Sequence, residues 1–526
     1  MALGKSRTVV RNTLFNNVGY VWQLLVSLLL TPFIIHRIGM EQFGIWVLLE
    51  VIVTYLSLLD FTGIGGAFVK YIAEFHAKQD FKNCNSVINL GWAYYTFFWL
   101  IMALLVILLR KPILNLFKFP ADLFNTVSVV FIGILLISFI RGSLAVFRSV
   151  LLGLQRMDIT NLIAILASVV NAAGVILFLS LGFGLKGLVM SGIIVAVFTT
   201  VLQTLFAYRA FPQMRFRPFS FNKEIFKKTF VYGINIRIAS ISELINTHVD
   251  KIFLGYFLNT ALVGSYELGA KIARIARSFP EQLLPAILPA ASELDALDDR
   301  ENLQKLYTRG SKYLCLITFP LAFFIIANAP LLMTFWMGNR NFQGFHESAL
   351  ALQLLSVGYV FVLLASMGRL IARGMGLPQY EMRSSVIIVI LNISLSIILI
   401  LNFGFIGALL GTSLSGIIGS AYFFYSFNRR LKESISRILK KIFAGPFFFC
   451  GLALILSLLA AYLFEQIHPI SPDSRIQAFI YLLVNGLVFL GVYIVLLFKS
   501  SYIDKYDKEI FSGFLEMLKL GFKRKK

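Results

Sequence analysis

The sequence predicts an all-α integral membrane protein of about fourteen transmembrane helices, and three observations predict it. Of its 526 residues, 58% are apolar and 14% are charged, against about 45–50% and about 25% in an ordinary soluble domain. The mean hydropathy is +0.80. Runs such as "LLVSLLLTPFII", "WLIMALLVILL" and "VIIVILNISLSIILIL" recur along the chain, each inside a stretch near the ~20 apolar residues that cross a bilayer.

The first span is expected at 13–36. Its basic head and apolar body have the layout of a signal peptide, but the run is long and lacks a small-residue cleavage site, so it reads as a retained span. Spans two to six follow at 41–62, 87–109, 123–147, 160–181 and 186–208. A basic stretch, "YRAFPQMRFRPFSFNKEIFKK" from Tyr208 to Lys228, separates them from six more at 229–257, 261–290, 311–336, 348–372, 384–402 and 405–427. Two further spans, 442–464 and 476–498, complete the series. After them Ile503, Tyr506, Ile510, Phe514 and Leu518 recur at helical spacing before a basic end, the pattern of an amphipathic helix lying on a membrane surface.

The first twelve spans read as a duplication. "LGFGLKGLVMSG" from Leu181 returns as "LNFGFIGALLGT" from Leu401, and "FGIW" at Phe43 pairs with "VGSY" at Val263, both at an offset of 220. "GLQRM" from Gly153 follows the fourth span as "GLPQY" from Gly376 follows the tenth. Six is even, so the two copies insert the same way up, as in transporters whose lobes rock about a central site. The expected organisation is an N-terminal lobe at 1–208, a basic linker at 209–228, a C-terminal lobe at 229–428, two appended spans in 429–498 and a tail at 499–526.

An even count puts both ends on one side of the membrane. The loops and tail on that side carry 34 Lys and Arg, against seven on the other: Arg37, Arg110, Lys111, Lys118, Lys186, Arg340 and Arg475. Cations collect on the cytoplasmic face, so both termini are expected inside. The net charge of +22 is then topology and attraction to anionic membrane lipids, with no nucleic-acid partner. Cys84, Cys315 and Cys450 are scattered and odd in number, which gives neither a disulfide framework nor a metal site. No cofactor is expected: "GxxxxGK[ST]" is absent, and energy would come from an ion gradient or from consumption of the product. The longest outer loop, "FEQIHPISPDSR", holds His468 and Asp473 without a partner at catalytic spacing, so an enzyme is not expected.

Charges inside the spans carry the functional reading. In the eighth, Glu267, Lys271, Arg274, Arg277 and Glu281 fall within one arc of about 120°. In the seventh, Arg237, Ser240, Glu243, Thr247 and Lys251 form a second stripe. Intramembrane charges mark pathways or lock helices as ion pairs, here Glu267 with Lys271 and Glu243 with Lys251 or Arg237. The cations outnumber the acids, which favours an anionic cargo gripped by Arg237, Lys271, Arg274 and Arg277, with Arg141 and Arg369 as further candidates. Glu50, Asp60, Glu243 and Asp250 are candidates for ion coupling, since a carboxyl group in a poorly solvated site exchanges protons readily. Pro280 and Pro285, with Pro289, should kink or break the inner end of the eighth span and are candidate gates.

The opening from Arg11 to Phe75, "RNTLFNNVGYVWQLLVSLLLTPFIIHRIGMEQFGIWVLLEVIVTYLSLLDFTGIGGAFVKYIAEF", and "VDKIFLGYFLNTALVGSYELGAKI" from Val249 to Ile272 resemble bacterial polysaccharide biosynthesis membrane proteins of the O-antigen, or lipopolysaccharide, flippase type. That family lies in the multidrug, oligosaccharidyl-lipid and polysaccharide exporter superfamily. The resemblance implies a MATE-like pair of six-helix lobes in the inner membrane that flips a glycan on undecaprenyl diphosphate, for O-antigen, capsule or exopolysaccharide synthesis. It also implies membrane lipids, H+ or Na+, and glycan polymerase and chain-length machinery as partners. Arginine suits the bidentate grip on phosphate oxygens that such a cargo needs. Peptidoglycan-lipid flippases of the superfamily carry arginines in the first span, and this chain has none between Arg11 and Arg37. The rival readings are a cation-coupled drug exporter of the same fold and, from another class, a membrane glycan polymerase or ligase.

Overall fold

The computed structural model describes residues 2–59, 64–217, 223–282, 284, 286–467 and 474–509, with side chains outside 2–18, 59, 64, 231–240 and 243. The described residues are almost wholly helical and group into two compact units. The first contains α1 (Ala2–Leu56), α2 (Ile64–Ala77), α3 (Phe81–Asn115), α4 (Phe124–Ser143), α5 (Ala145–Gly153), α6 (Met157–Ser180), α7 (Gly184–Ala210), α8 (Lys223–Phe257) and the start of α9 (Thr260–Glu281) up to Glu267. It also takes in Val389–Gly411 from the middle of α14 (Gln379–Leu431). The second holds the rest of α9 and α14 with α10 (Ile287–Ala296), α11 (Arg300–Ala327), α12 (Ala329–Met337), α13 (Phe345–Gly374), α15 (Ile435–Ile438), α16 (Ala444–Ile467) and α17 (Arg475–Lys499). α8, which the sequence reads into the C-terminal lobe, meets α1, α2 and α3 and, through Asp250 and Lys251, also α9 and α14.

Ten stretches are long and apolar enough to cross a membrane. Two of them, Gly19–Leu56 and Gln379–Leu431, have 38 and 53 residues, or about 57 and 80 Å of helix, far beyond a ~30 Å hydrocarbon core. Each breaks at a glycine: Gly39 has φ 80° and ψ 166°, and Gly404 has φ 56° and ψ −129°. α9, which carries one charged stripe, falls outside the ten found among the described residues.

The repeated sequence is matched by repeated backbone. Gly184 and Gly404, 220 apart, have φ +53° and +56°. Gln79 and Asp298, at φ 57° and 51°, each precede an aspartate, Asp80 or Asp299, that caps the next helix by accepting from the backbone N–H three residues on. Gln155 and Gly376, at φ 57° and 70°, both follow the helix before the next long span. The pairing is reciprocal at one place. A Cβ on Gly44 would lie 1.7 Å from the Thr260 carbonyl oxygen, and one on Gly264 would lie 2.8 Å from the Met40 carbonyl oxygen. Since 40 and 260, like 44 and 264, are 220 apart, this is the self-complementary pattern of a two-fold contact. It brings α1 and α9 together backbone to backbone, as small residues permit between membrane helices.

In the first unit, the stretch after α7 is held along α3. Asn85 donates to Gln213 O and accepts from Arg215 N, while Asn89 donates to Arg215 O and accepts from Arg217 N. Two amides one helical turn apart thus pair with an extended segment as a strand edge would, and Phe216 packs on Trp92.

In the second unit, α17 is fastened to α11 and α12 along their length. Arg475 donates to the carbonyls of Phe335 and Trp336 at the end of α12. Asn485 bonds Asn328, the residue at the break between α11 and α12, at 2.8 Å. Pro320 has no N–H to offer the carbonyl four residues back. That carbonyl, Leu316 O, accepts instead from Tyr493. Beyond the helix, buried Asp507 takes hydrogen bonds from Lys312 and Tyr313 and lies 3.5 Å from Arg309. Burial opposes its charge, but these donors and the Asp504 backbone N–H outweigh it and hold the carboxyl below its ordinary range. Of the predicted tail face, Ile503 is buried and Tyr506 stacks under the Arg309 guanidinium at 3.9 Å, while Ile510, Phe514 and Leu518 lie outside the described residues.

Candidate functional site

A buried polar network lies in the first unit. Asp250 on α8 is 0% exposed and accepts from the Tyr266 hydroxyl at 3.0 Å and the Ser396 hydroxyl at 2.9 Å. The Ser396 oxygen is also 2.9 Å from Asn392 Oδ1, one turn earlier on α14. Beside it Lys251, 2% exposed, forms a 2.6 Å ion pair with Glu267 and lies 3.2 Å from His248 Nδ1. Glu267 thus meets Lys251, the lysine of the neighbouring stripe. A buried ion pair of this kind is costly to break, because removing one partner strands the other.

Ser396 has one proton and faces two oxygens. With Asn392 turned as described, the second contact is completed by a proton on Asp250 or by a cation shared among the three residues. With the amide turned over, its NH2 donates to Ser396 and the network closes without either.

The other candidates for ion coupling divide. Glu50 is the position that protein leaves uncovered in the otherwise buried run Val47–Val53, and its charge acts on Arg141, itself uncovered near the end of α4. Asp60 lies outside the described residues, as do the side chains of Glu243 and Arg237.

The cationic stripe continues in the second unit. Lys271, Arg274 and Arg277 are half-buried on α9. Arg277 Nε donates to Glu281 at 2.8 Å and its guanidinium sits 5.5 Å from the Tyr359 ring centre. Arg369, also half-buried, donates to Ser420 at 3.4 Å and packs over Phe423. α9 runs through Pro280 and ends at Glu281, and the chain re-enters helix at Ile287, two residues before Pro289; Pro285 lies outside the described residues. The same unit has an apolar groove of about 710 Å³ lined by Phe319, Phe323, Phe424, Phe443 and Phe447 among others.

Sequence reasoning finds Asp250, Lys251 and Glu267 but misses Tyr266, Asn392 and Ser396. The last two were readable as polar residues one turn apart in the apolar run from Val386 to Ile400. Their partner is 146 residues from Ser396, a pairing that no local pattern discloses.

Residues 37–346 match the profile of a family described as "Polysaccharide biosynthesis protein", and residues 239–479 match that of "Lipid II flippase MurJ". An uncharacterized membrane protein of Methanocaldococcus jannaschii is 22% identical over 95% of this chain and 98% of its own. A Haloferax volcanii protein named "Probable flippase AglR" is 22% identical over 76% of this chain and 79% of its own. Among solved structures, a "Lipid II flippase MurJ, inward closed conformation" superposes with a TM-score of 0.71 at 17% identity, covering 92% of this chain and 98% of that one. At that identity the likeness concerns the fold.

Proposed function

Because the chain belongs to the polysaccharide biosynthesis protein family, we propose that it flips a glycan carried on a polyprenyl diphosphate from the cytoplasmic to the outer leaflet by alternating access. The observation that carries this reading is the half-buried cationic stripe Lys271, Arg274 and Arg277. Charge in a membrane helix is expensive, and a diphosphate supplies the compensating anion through bidentate contacts. Arg237, Arg141 and Arg369 are proposed as further contacts, and the phenylalanine-lined groove suits an apolar lipid chain. The protein is thus a transporter with no bond-making chemistry of its own.

The rest of the cycle follows the same reading. Fourteen crossings with both termini cytoplasmic satisfy the charge asymmetry of the loops, with 1–208 and 229–428 as the moving lobes and 209–228 between them. Asp250 is the proposed coupling group, binding H+ or Na+ together with Ser396 and Asn392; Glu50, Asp60 and Glu243 are the alternatives. The helix break after Pro280, with Pro285, is the proposed gate. Glycan polymerase and chain-length machinery would consume the product on the outer side.

The test is a leaflet assay in liposomes containing a labelled polyprenyl-diphosphate oligosaccharide, followed by its accessibility to an external lectin with and without an imposed H+ or Na+ gradient. Protein-dependent translocation is expected, together with its loss in Arg274→Ala and Arg277→Ala at unchanged protein yield. Absence of translocation under every gradient would defeat the reading and turn attention to a drug-exporting role for the fold.

A further inference from the structure

α9, α11 and α13 enclose a second pocket in the second unit, of about 30 Å³. Ala273 and Ala276 open its α9 wall beside Arg277, and Thr318, Ser356 and Tyr359 contribute from the other two helices. Thr318 and Ser356 are 3% and 6% exposed, and neither hydroxyl has a hydrogen-bond partner among the described residues.

Hydroxyls in apolar helices ordinarily bond the carbonyl one turn back, and this chain follows the rule on the same two helices: Thr308 donates to Gln304 O and Ser366 to Val362 O. Thr318 and Ser356 depart from it on the wall of one pocket. Ser311 and Ser348 are likewise without partners but lie off the pocket. A buried hydroxyl left unpaired is costly, so the two together favour a polar group that enters. The pocket has room for a water or a single hydroxyl-bearing carbon, given that a water needs about 10–15 Å³; a sugar ring would stay outside. Arg277, steadied by Glu281 and Tyr359, places a guanidinium on the same wall.

We propose that this pocket is a sugar-recognition subsite, in which one hydroxyl or hydroxymethyl of the glycan bonds Thr318 and Ser356 while Arg277 faces the adjoining diphosphate. The proposal rests on the flippase reading and adds to it the residues that distinguish a glycan-bearing lipid from a bare one. Recognition of this kind is selective because a cargo without the hydroxyl leaves buried polar groups unpaired.

The experiment compares two probes in the leaflet assay, polyprenyl diphosphate bearing an oligosaccharide and bare polyprenyl diphosphate, and measures equilibrium binding of both in detergent. The variants are Thr318→Val, Ser356→Ala and their combination, with Thr318→Ser keeping a hydroxyl as the rescue. Thermal unfolding and gel filtration establish that each variant is folded. The double variant is expected to lose about tenfold or more in flipping rate and in affinity for the glycan lipid, with the bare lipid changed less than about twofold. Equal loss for both probes, or no loss for either, overturns the subsite; in the second case the pocket holds only water. Binding of the glycan lipid by wild type without any flipping would defeat the transport reading alone, and the subsite would still be decided by the variants' affinities.

Discussion

Leu30 and Asp250 stand 220 residues apart, at matched positions of the duplication that the sequence suggests. The backbone of the copies agrees: Gly184 and Gly404 share a positive φ, and Gly44 and Gly264 meet reciprocally. The side chains at matched positions do not. Where the second copy has Asp250, Lys251, Glu267, Lys271, Arg274 and Arg277, the first has Leu30, Thr31, Val47, Val51, Thr54 and Ser57. Leu30, Val47 and Val51 are buried, and Thr31 bonds Ser27 O in the ordinary way. At these six positions the first half carries no charge. That asymmetry is the strongest argument that the charges of the second serve cargo and coupling ion.

Exchanging residues between the copies can break this comparison. Asp250→Leu, which installs the first copy's residue, should abolish gradient-driven flipping, at least about a hundredfold by the leaflet assay, while the protein still inserts and binds glycan lipid. The hydroxyls of Tyr266 and Ser396 lose the Asp250 carboxylate, Ser396 keeping Asn392 Oδ1, so a loss of stability of about 1 kcal/mol accompanies it. Normal gradient-driven transport by this variant would show that the buried carboxylate is only structural. Next in size, Arg274→Thr and Arg277→Ser should lower the flipping rate about tenfold to a hundredfold, read against a melting temperature that moves by only a few degrees. A collapse in folded protein instead would make the stripe a scaffold of ion pairs.

Two smaller effects sharpen the backbone half of the comparison. Gly44→Ala and Gly264→Ala should both destabilise, by about 1–3 kcal/mol as overpacked sites do. The first should be worse, since its Cβ would meet a carbonyl oxygen at 1.7 Å rather than 2.8 Å; equal melting temperatures would refute the close approach. Gly184→Ala and Gly404→Ala should each cost about 1–3 kcal/mol through backbone strain, seen as a lower melting temperature with cargo preference unchanged.

Much of this architecture is legible in the sequence because membrane helices declare themselves by length and apolarity, and because the matched Gly184 and Gly404 share a positive φ. The division of α1 at Gly39 and of α14 at Gly404 follows from those two signals. The polar network was half legible. Lys251 and Glu267 stand out by charge, but their pairing joins two stripes read separately, and a hydroxyl such as Ser396 is indistinguishable by type from Ser394, which is exposed on the same helix.

The fastening of α17 also has a consequence for biosynthesis. The carbonyl that Pro320 leaves open waits for a tyrosine 177 residues further along the chain, which at ~5–20 residues per second emerges about 10–35 s later. Until then Leu316 O, Asn328 and the carbonyls of Phe335 and Trp336 lack the partners that α17 brings. A chain that stops short of α17 therefore leaves these polar groups of α11 and α12 without the partners seen here.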